Sequence, residues 1–474
     1  MVATFILCLL GFTLIGISSA RASRGTRHDY YLADGSVGPW LVGLSAVATN
    51  NSGYMFIGVI GYTYATGFPA IWLMLGWLLG DYLGSTFIHA KLRAATAGCD
   101  EVSYAGVLAR WHGERNTALQ RTIGAISLLF LLSYAGAQLL AGSKALHVLF
   151  DWPLWAGAVL GSVLVVAYCF AGGIRASIWT DAAQSIVMIV AMTVLLIVAL
   201  IELGGFPAAW AAWKEIPGFT RWTPQAPAFL GWTGGPLFVL GWMAAGLSVI
   251  GQPHVMVRFM TLSGGPGGMR RARTWYYLWF TAFYFAATAV GLLSRLYLTD
   301  SASFDAELAL PTMALELLPG VLVGVILAGI FAATMSTADS LILSCSAALT
   351  HDLLPHRIER PLLIKASTVL MTAGALVLAL SGSDSVFALV ILSWSALASA
   401  FAPLLIALAL GARPSQTRAL SALAIGLGVS LLWRQLGWES VVYEGLPGIA
   451  AGLLVHMLPA AGRKAIHAAA EAAE

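Results

Sequence analysis

Apolar residues along this chain form long blocks, separated by short connections that carry most of the charged side chains. An α-helix needs about 20 mainly apolar residues to cross the roughly 30 Å hydrocarbon core of a bilayer. Blocks of this length recur from end to end, and we predict thirteen membrane-spanning helices. They lie near residues 2–20, 37–60, 67–90, 120–148, 153–172, 178–203, 229–256, 274–298, 317–346, 362–382, 386–411, 418–434 and 445–460.

Two of the predicted spans contain polar breaks. Residues 48–53 of the second span read Ala-Thr-Asn-Asn-Ser-Gly, and residues 251–254 of the seventh read Gly-Gln-Pro-His. Asn and Ser compete for backbone hydrogen bonds, Gly tolerates non-helical dihedrals and Pro removes a donor, so we expect both helices to unwind. Unwound backbone at membrane depth is tolerated only in a protein interior or a cavity wall, where its free carbonyls and amides can hold ions and solutes.

The two breaks lie five spans apart, at corresponding places in successive groups of five. This is the pattern of an inverted repeat, in which solute and ion sites lie between the halves. Gly and Pro also kink membrane helices without binding anything. That alternative explains a single break more readily than two breaks at corresponding places in the second and seventh spans.

A third polar cluster interrupts the ninth span. Ser336 and Thr337 are followed by Asp339 and Ser340, within the apolar segment 310–350. An Asp at the bilayer centre costs roughly 2.5–3.5 kcal/mol on insertion scales, so we expect the cluster to face the protein interior or a water-filled path. Its oxygens suit a hard alkali cation better than a transition metal, which prefers His or Cys.

Composition and charge give the class and the orientation. The chain is 59% hydrophobic and 10% charged, and its four cysteines are scattered. We therefore predict a multi-pass protein of the plasma (inner) membrane without a soluble domain. Of 25 Lys and Arg residues, 20 fall in alternate connections and 5 in the others, which predicts an outside N-terminus and a cytoplasmic C-terminus. The first span lacks preceding basic residues, so we expect a retained helix rather than a signal peptide.

Further short motifs occur in order along the chain: Asp29-Tyr30-Tyr31-Leu32-Ala33, Leu44-Ser45-Ala46, Gly172-Gly173, Trp179-Thr180-Asp181, Arg258-Phe259-Met260 and Thr350-His351-Asp352-Leu353. Together with the two breaks and the hydroxyl cluster, they resemble the sodium:solute symporter family, most closely its sodium/proline permease branch, over roughly residues 28–410. The resemblance implies an all-α polytopic membrane protein with a LeuT-like core of two inverted five-helix repeats. The predicted units are an extra N-terminal helix with its loop, the two repeats, and two C-terminal helices with a tail: residues 1–27, 28–205, 206–412 and 413–474.

The resemblance also implies a principal sodium site. Its five ligands would be the backbone carbonyls of Ala48, Asn51 and Ala333 and the hydroxyls of Ser336 and Thr337. The chemistry of the residues agrees, because Ser and Thr offer acceptor lone pairs and an unwound segment frees its carbonyls. A site of neutral oxygens holds a monovalent cation weakly enough to release it, as transport requires.

A second ion site is a further hypothesis. Asp181 matches a position that the family places near the route of the ion to the cytoplasm. With Asp339 and Ser340 it would form a second sodium site or a proton-titratable carboxylate pair. The alternative is that Asp339 makes a local capping interaction or pairs with a basic residue.

The predicted solute site uses residues from both breaks: Asn50, Ser52, Gly53, Ala245, Val249, Gln252 and Pro253. Proline permeases resembling this chain have Asp where it has Asn50, and a Trp and a Tyr where it has Ala245 and Val249. We therefore expect a roomier pocket and a solute larger than proline or of different shape.

Three other polar residues have two interpretations each. Tyr134 and Gln138, one turn apart on the fourth span, either line the cavity or join helices by hydrogen bonds. Asp81 in the third span either contributes to the cytoplasmic exit or lies near the interface, paired with Lys91 or Arg93. We favour the pairing for Asp81.

The sequence predicts sodium-coupled symport of a small organic solute, amino acid-like or a small carboxylate, into the cell by alternating access. The expected partners are the solute, Na⁺ and the bilayer, with no nucleic acid and no obligate protein partner. We predict a transporter rather than an enzyme, because no paired catalytic constellation occurs. The alternatives are a proton-coupled symporter of the same fold and a transporter-like membrane sensor.

Overall fold

The computed structural model describes residues 1–224, 228–299, 304–381, 385–440 and 442–458. In this part of the chain the regular structure is helical, apart from one isolated parallel bridge between Val37 and Leu262. The predicted C-terminal tail and the last residues of the tenth and thirteenth predicted spans lie outside the described residues.

The helices are numbered in chain order. The first nine are α1 (Val2–Ser18), α2 (Arg27–Leu32), α3 (Pro39–Phe56), α4 (Gly58–Thr66), α5 (Ala70–Ala97), α6 (Tyr104–Ala109), α7 (Thr117–Phe150), α8 (Leu154–Glu202) and α9 (Phe206–Glu215). The others are α10 (Gly234–Leu247), α11 (Pro253–Met260), α12 (Pro266–Tyr297), α13 (Ala309–Leu317), α14 (Gly320–Ala347), α15 (Pro361–Ser381), α16 (Val386–Ala409), α17 (Gln416–Gln435) and α18 (Gly445–Met457).

Nine helices of the described residues are long and apolar enough to cross a membrane. One of them, α8, has 49 residues and covers both the fifth and the sixth predicted spans. Its helical dihedrals fail at Gly172 and Gly173, and Gly173 has φ 57°. A Cβ there would lie 2.5 Å from the carbonyl oxygen of Tyr30, so only glycine fits. The count of thirteen spans and the boundaries of the two repeats stay predictions.

Both predicted breaks are present. Ser52 inside α3 has φ 41° and ψ 177°, a region that a non-glycine residue rarely occupies. In the seventh predicted span, α10 passes into a 3₁₀ turn at Ser248–Gly251. Gln252 is extended at φ −99° and ψ 100°, and α11 then begins with Pro253. Proline fits this place because the first helical position has no N–H partner to lose.

Helix α14 is largely enclosed by the bundle. It packs against α3, α7 and α8, and its side chains from Ile326 to Leu343 are buried. A π-helical segment, Ala348–Leu353, extends it. The polar cluster of α14 therefore lies inside the helix bundle, in contact with the broken helix α3.

One basic residue is not where the charge count placed it. Arg258, one of the 20 basic residues counted as cytoplasmic by the charge pattern, lies in α11 and is fully buried. Its helix continues past the break because Pro253 restarts it, and this brings Arg258 inside the bundle. Removing it from the 20 residues leaves 19 against 5, so the predicted orientation is unaffected.

Candidate ion and solute sites

The hydroxyl turn of α14 meets the first break. Ser336 Oγ lies 3.2 Å from the carbonyl oxygens of both Ala48 and Ala333. Thr337 Oγ1 donates to the carbonyl of Thr49 at 3.0 Å. These three carbonyl oxygens and two hydroxyls, named here the neutral cluster, carry no formal charge. Such oxygens are ligands for a hard cation.

The neutral cluster contains Thr49 where Asn51 was expected. In a regular helix the N–H of Gly53 would bond to the carbonyl of Thr49. Here that N–H donates to Gln138 Oε1 at 2.8 Å, because Ser52 leaves the helical conformation. The carbonyl of Thr49 is therefore free to receive Thr337. Counting the hydrogen bonds broken by the predicted unwinding would have indicated this carbonyl.

A second cluster lies beside the first and is charged. Arg258 Nη2 lies 3.4 Å from a carboxylate oxygen of Asp181 and 3.8 Å from one of Asp339. It also bonds to the hydroxyls of Ser177 and Ser340. All five residues are buried. We name them the charged cluster. Asp339 thus pairs with a basic residue, the alternative that the sequence left open.

The charges of this cluster do not balance. Two carboxylates face one guanidinium, which leaves one negative charge if both are ionised. Ser45 donates to Asp181 Oδ2 at 2.6 Å, but Asp181 Oδ1 and Asp339 Oδ2 are buried without a hydrogen-bond partner among the described residues. An uncompensated buried charge is costly, so the arrangement suits one additional monovalent cation or a proton.

Two hydrogen bonds connect the two clusters. Thr49 gives its carbonyl to the neutral cluster, and its hydroxyl lies 3.1 Å from Ser340 Oγ. Ser340 Oγ is also 2.6 Å from the carbonyl oxygen of Ser336. The ligands of one cluster are therefore joined to those of the other by a single hydrogen bond.

The first break is also bonded to α7. Tyr134 donates to Ser52 Oγ at 3.2 Å, and Gln138 accepts from the N–H of Gly53. A Cβ on Gly53 would come 2.5 Å from Thr334 Cγ2, so a larger residue does not fit. The hydrogen-bonding interpretation of Tyr134 and Gln138 therefore describes the contacts that the structure has.

The second break faces Trp394 of α16. Its indole N–H donates to the carbonyl of Ala245 at 2.8 Å, and its own carbonyl accepts from Gln252 Nε2 at 2.9 Å. The Trp394 and Tyr134 rings lie 6.2 and 5.4 Å from the ring of His254. Sequence reasoning missed Trp394, an aromatic side chain bonded to the backbone of the small residue Ala245. No motif connects position 394 with the break.

Asn50 and Asp81 are linked, contrary to the pairing expected for Asp81. Asp81 is fully buried, and its Oδ2 accepts from Asn50 Nδ2 at 3.1 Å. Lys91 bonds instead to the carbonyl of Ala409, and Arg93 to that of Leu262. The reason is distance along the helix: ten or more residues at about 1.5 Å each separate Asp81 from either base.

Two cavities lie among the helices that carry these sites. One of about 250 Å³ is lined by the aromatic residues Tyr62, Phe238, Trp242, Phe387 and Tyr443, with Arg434 and Glu444 also in its wall. The other, about 30 Å³, adjoins Pro253 and Val257 and is lined by Asp352 of the π-helical segment. Only the first has room for more than a water molecule.

Comparison with known proteins agrees with this geometry. A model of the sodium:solute symporter family matches residues 30–426. The chain is 27% identical to the sodium/proline symporter of Escherichia coli (strain K12), covering 95% of this chain and 91% of that one. It is 28% identical to the sodium/proline symporter of Salmonella typhimurium, covering 96% and 91%.

Solved structures resemble the fold. A substrate-bound, outward-open Na⁺-coupled sialic acid symporter gives a TM-score of 0.77 at 19% identity, over 96% of this chain and 95% of that one. Mhp1, a nucleobase-cation-symport-1 family transporter, in a closed conformation with bromovinylhydantoin bound, gives 0.58 at 17%, over 90% and 92%. At these identities the likeness concerns the fold alone, and it confirms the predicted all-α, LeuT-like architecture. The chain belongs to the sodium:solute symporter family, membrane transporters for which Na⁺ is the coupling ion.

Proposed function

We propose that this protein imports a small organic solute together with sodium, and that the neutral cluster is its principal sodium site. The observation that carries the proposal is the meeting of α14 with the break in α3, where oxygens of the two helices lie 3.0 and 3.2 Å apart. Five neutral oxygens from both helices can hold a cation that is later released. In this proposal Thr49 takes the place first given to Asn51.

A bound ion would couple two parts of the bundle. One set of its ligands belongs to the broken helix α3, and the other belongs to α14, which packs on α7 and α8. Sodium binding therefore favours the state in which these helices are together, and release of the ion allows them to separate. The membrane potential adds about 2.3 kcal/mol per charge per 100 mV to inward movement.

Uptake into proteoliposomes tests the sodium site. Sodium-stimulated uptake should fall sharply in Ser336→Ala and in Thr337→Ala. Ser344→Ala is a matched control, because Ser344 lies on the same helix and donates to the carbonyl of Ser340 at 2.9 Å, outside the neutral cluster. Uptake that is indifferent to sodium and to both substitutions would contradict the proposal.

For the charged cluster we propose that Asp181, Asp339 and Ser340 accept one further cation, either Na⁺ or a proton. The support is the unbalanced negative charge beside Arg258 and the two unpartnered carboxylate oxygens. Asp181→Asn and Asp339→Asn should each lower the sodium Hill coefficient if the ion is sodium. If it is a proton, they should instead abolish the uptake driven by a pH gradient. Unchanged ion stoichiometry in both variants would refute a second site.

The proposed solute site lies between the two breaks. Its wall comprises Asn50, Ser52, Gly53, Ala245, Val249, Gln252 and Pro253, and the aromatic cavity on the predicted outer side would be its entrance. The proposed solute is amino acid-like or a small carboxylate. A screen of thermal stabilisation with sodium present, against amino acids, small carboxylates and sugars, would identify it, since a ligand of the folded state raises the melting temperature. Stabilisation by sugars alone would contradict this class.

The proposed orientation places the connection around Lys214 outside and that around Arg271 inside. In a background with its native cysteines replaced, Lys214→Cys should react with a membrane-impermeant maleimide on intact cells. Arg271→Cys should react only after permeabilisation. The reverse pattern would overturn the orientation.

A further inference from the structure

Three buried amide side chains at the two breaks share one arrangement. In Asn50, Asn51 and Gln252 the NH₂ group is hydrogen-bonded, and the oxygen has no partner among the described residues. Asn50 and Asn51 directly precede the broken position Ser52, and Gln252 directly precedes Pro253. The breaks are neighbours, since Tyr134 bonds to Ser52 and its ring lies 5.4 Å from the ring of His254.

The hydrogen-bond partners of Asn51 and Gln252 determine how these two amide groups are oriented. Asn51 donates to the carbonyl of Val47 at 2.8 Å, and Gln252 donates to the carbonyls of Ser248 and Trp394. A carbonyl oxygen can only accept a hydrogen bond. Turning either amide over would set oxygen against oxygen, so the free atom is an acceptor in both cases.

The orientation of the Asn50 amide is determined by Asp81 and its tyrosine partner. Tyr276 has one proton and donates it to Asp81 Oδ2 at 2.7 Å, so its oxygen accepts from Asn50 Nδ2. The same NH₂ group donates to Asp81 Oδ2 itself. Tyr277 holds the other oxygen of Asp81 at 2.7 Å. Because the Asn50 NH₂ group is held by the carboxylate and the tyrosine, its oxygen is the atom left without a partner.

A buried acceptor without a partner costs on the order of 1–3 kcal/mol, which a ligand's donor would recover. The facing side chain Gln138 contributes one unpartnered amide donor, and both ring nitrogens of His254 are unpartnered. The amides at this place thus offer three acceptor oxygens and one NH₂ group, and the neutral ring of His254 adds one acceptor and one N–H donor. That pattern complements an ammonium or amine group accompanied by a carboxylate oxygen, and it leaves a carboxylate without an amine poorly matched.

We propose that Asp81 is a positioning residue that makes Asn50 present its oxygen, and that the solute therefore carries an ammonium or amine group. This rests on the solute site proposed above and narrows its class. Asp81 does not touch the solute and acts through Asn50. An Asn at position 81 has both a donor and an acceptor, so Asp81→Asn would release the constraint on Asn50.

Matched ligand pairs test the proposal. Each pair differs in the amine: L-leucine and 4-methyl-2-oxopentanoate, L-phenylalanine and phenylpyruvate, and L-proline and tetrahydrofuran-2-carboxylate. With sodium present, at least one amine-bearing member should stabilise the purified protein, and its partner should not. Asp81→Asn should raise the half-saturating concentration of that amine about tenfold, the size of one charge-assisted hydrogen bond, and leave the maximal uptake rate unchanged.

Controls separate positioning from structural damage. Tyr277→Phe removes a hydroxyl from Asp81 and leaves both partners of Asn50, so the preference for the amine should persist. Tyr276→Phe frees an Asn50 hydrogen and should weaken that preference even if Asp81→Asn does not fold. Equal binding of both members of the pairs, no binding by any amine, or an unchanged preference in the folded Asp81→Asn and Tyr276→Phe variants would overturn the inference. Binding that prefers the amine but ignores sodium would contradict the proposed sodium site instead.

Discussion

The neutral and charged clusters use adjacent turns of α14 and are built on opposite principles. Ser336 and Thr337 place only neutral oxygens beside the break in α3. One turn further, Asp339 lies beside Asp181 and the fully buried guanidinium of Arg258. A sodium ion bound at the first, as proposed above, could leave, because no formal charge would hold it. The second keeps a cation permanently, since Arg258 is covalently part of the chain. Adjacent turns of α14 thus contribute to one cluster suited to releasing a cation and to another that retains one.

The largest effect is expected when the permanent cation of the charged cluster, the guanidinium of Arg258, is removed. In Arg258→Gln two carboxylates would remain buried without their partner, and we expect a loss of about 3–5 kcal/mol in the free energy of unfolding. The melting temperature in detergent should fall accordingly, and Asp181→Asn in the same chain should restore part of it. Arg273→Gln is the control, because that side chain bonds to Ser85 and Thr86 near the helix surface. Equal melting temperatures for Arg258→Gln and the parent protein would refute the importance of the pairing.

A milder substitution, at Thr337, tests the neutral cluster. Thr337→Val keeps the shape and removes one oxygen, so the half-saturating sodium concentration should rise about tenfold, equivalent to roughly 1.4 kcal/mol. Stability without sodium should change by only about 1 kcal/mol, the net value of one hydrogen bond. The measurement is melting temperature against sodium concentration. Thr372→Val controls for loss of a buried hydroxyl, since Thr372 bonds within α15. A large fall in stability without sodium would show that this cluster is structural.

A pH-dependent effect is expected at a third carboxylate, outside the spans. Glu101, between α5 and α6, lies 2.6 Å from His351 Nε2 and 2.8 Å from Arg357. Burial disfavours its charge, but the hydrogen bonds from His351 and Arg357 outweigh this and lower its pKa to about 2. Its contribution to stability is therefore complete above the ordinary pKa of 4.5 and is lost as the pH falls through about 2.

Unfolding curves against pH for the parent protein and Glu101→Gln should show this difference. The gap between them should be constant above about pH 5 and should close toward pH 2. It should be smaller than for Arg258→Gln, because Arg357 is partly exposed and solvent screens its charge. Asp100→Asn, at the exposed neighbouring position, should leave the curve unchanged. A gap that is independent of pH would mean that the charge of Glu101 contributes nothing.

Much of the fold was predictable because it follows from composition along the chain. Apolar blocks gave the helices, and the Asn-Asn-Ser-Gly and Gly-Gln-Pro sequences gave the breaks, since both depend on local backbone chemistry. The boundary within α8 also followed from the hydropathy pattern. The fifth predicted span ends at residue 172, and the helical dihedrals of α8 fail at Gly172 and Gly173.

Contacts across the bundle were predictable only in part. The approach of Ser336 to Ala48 followed from the family resemblance, and the pairing of Thr337 with Thr49 required knowing where the N–H of Gly53 goes. Arg258 was counted as a loop charge because a basic residue at a span's end is usually outside the membrane. Its burial depends on partners on α8 and α14, far away in sequence.

Ser52 gives the first break a property beyond its hydrogen bonds. A serine at φ 41° and ψ 177° is strained, and such a residue persists only while its surroundings hold it. Those surroundings are Tyr134, which bonds to its hydroxyl, and Gln138, which takes the next N–H. If α7 separated from α3, Ser52 would lose both supports and could return to an ordinary conformation. The strain at this residue would therefore favour such a separation.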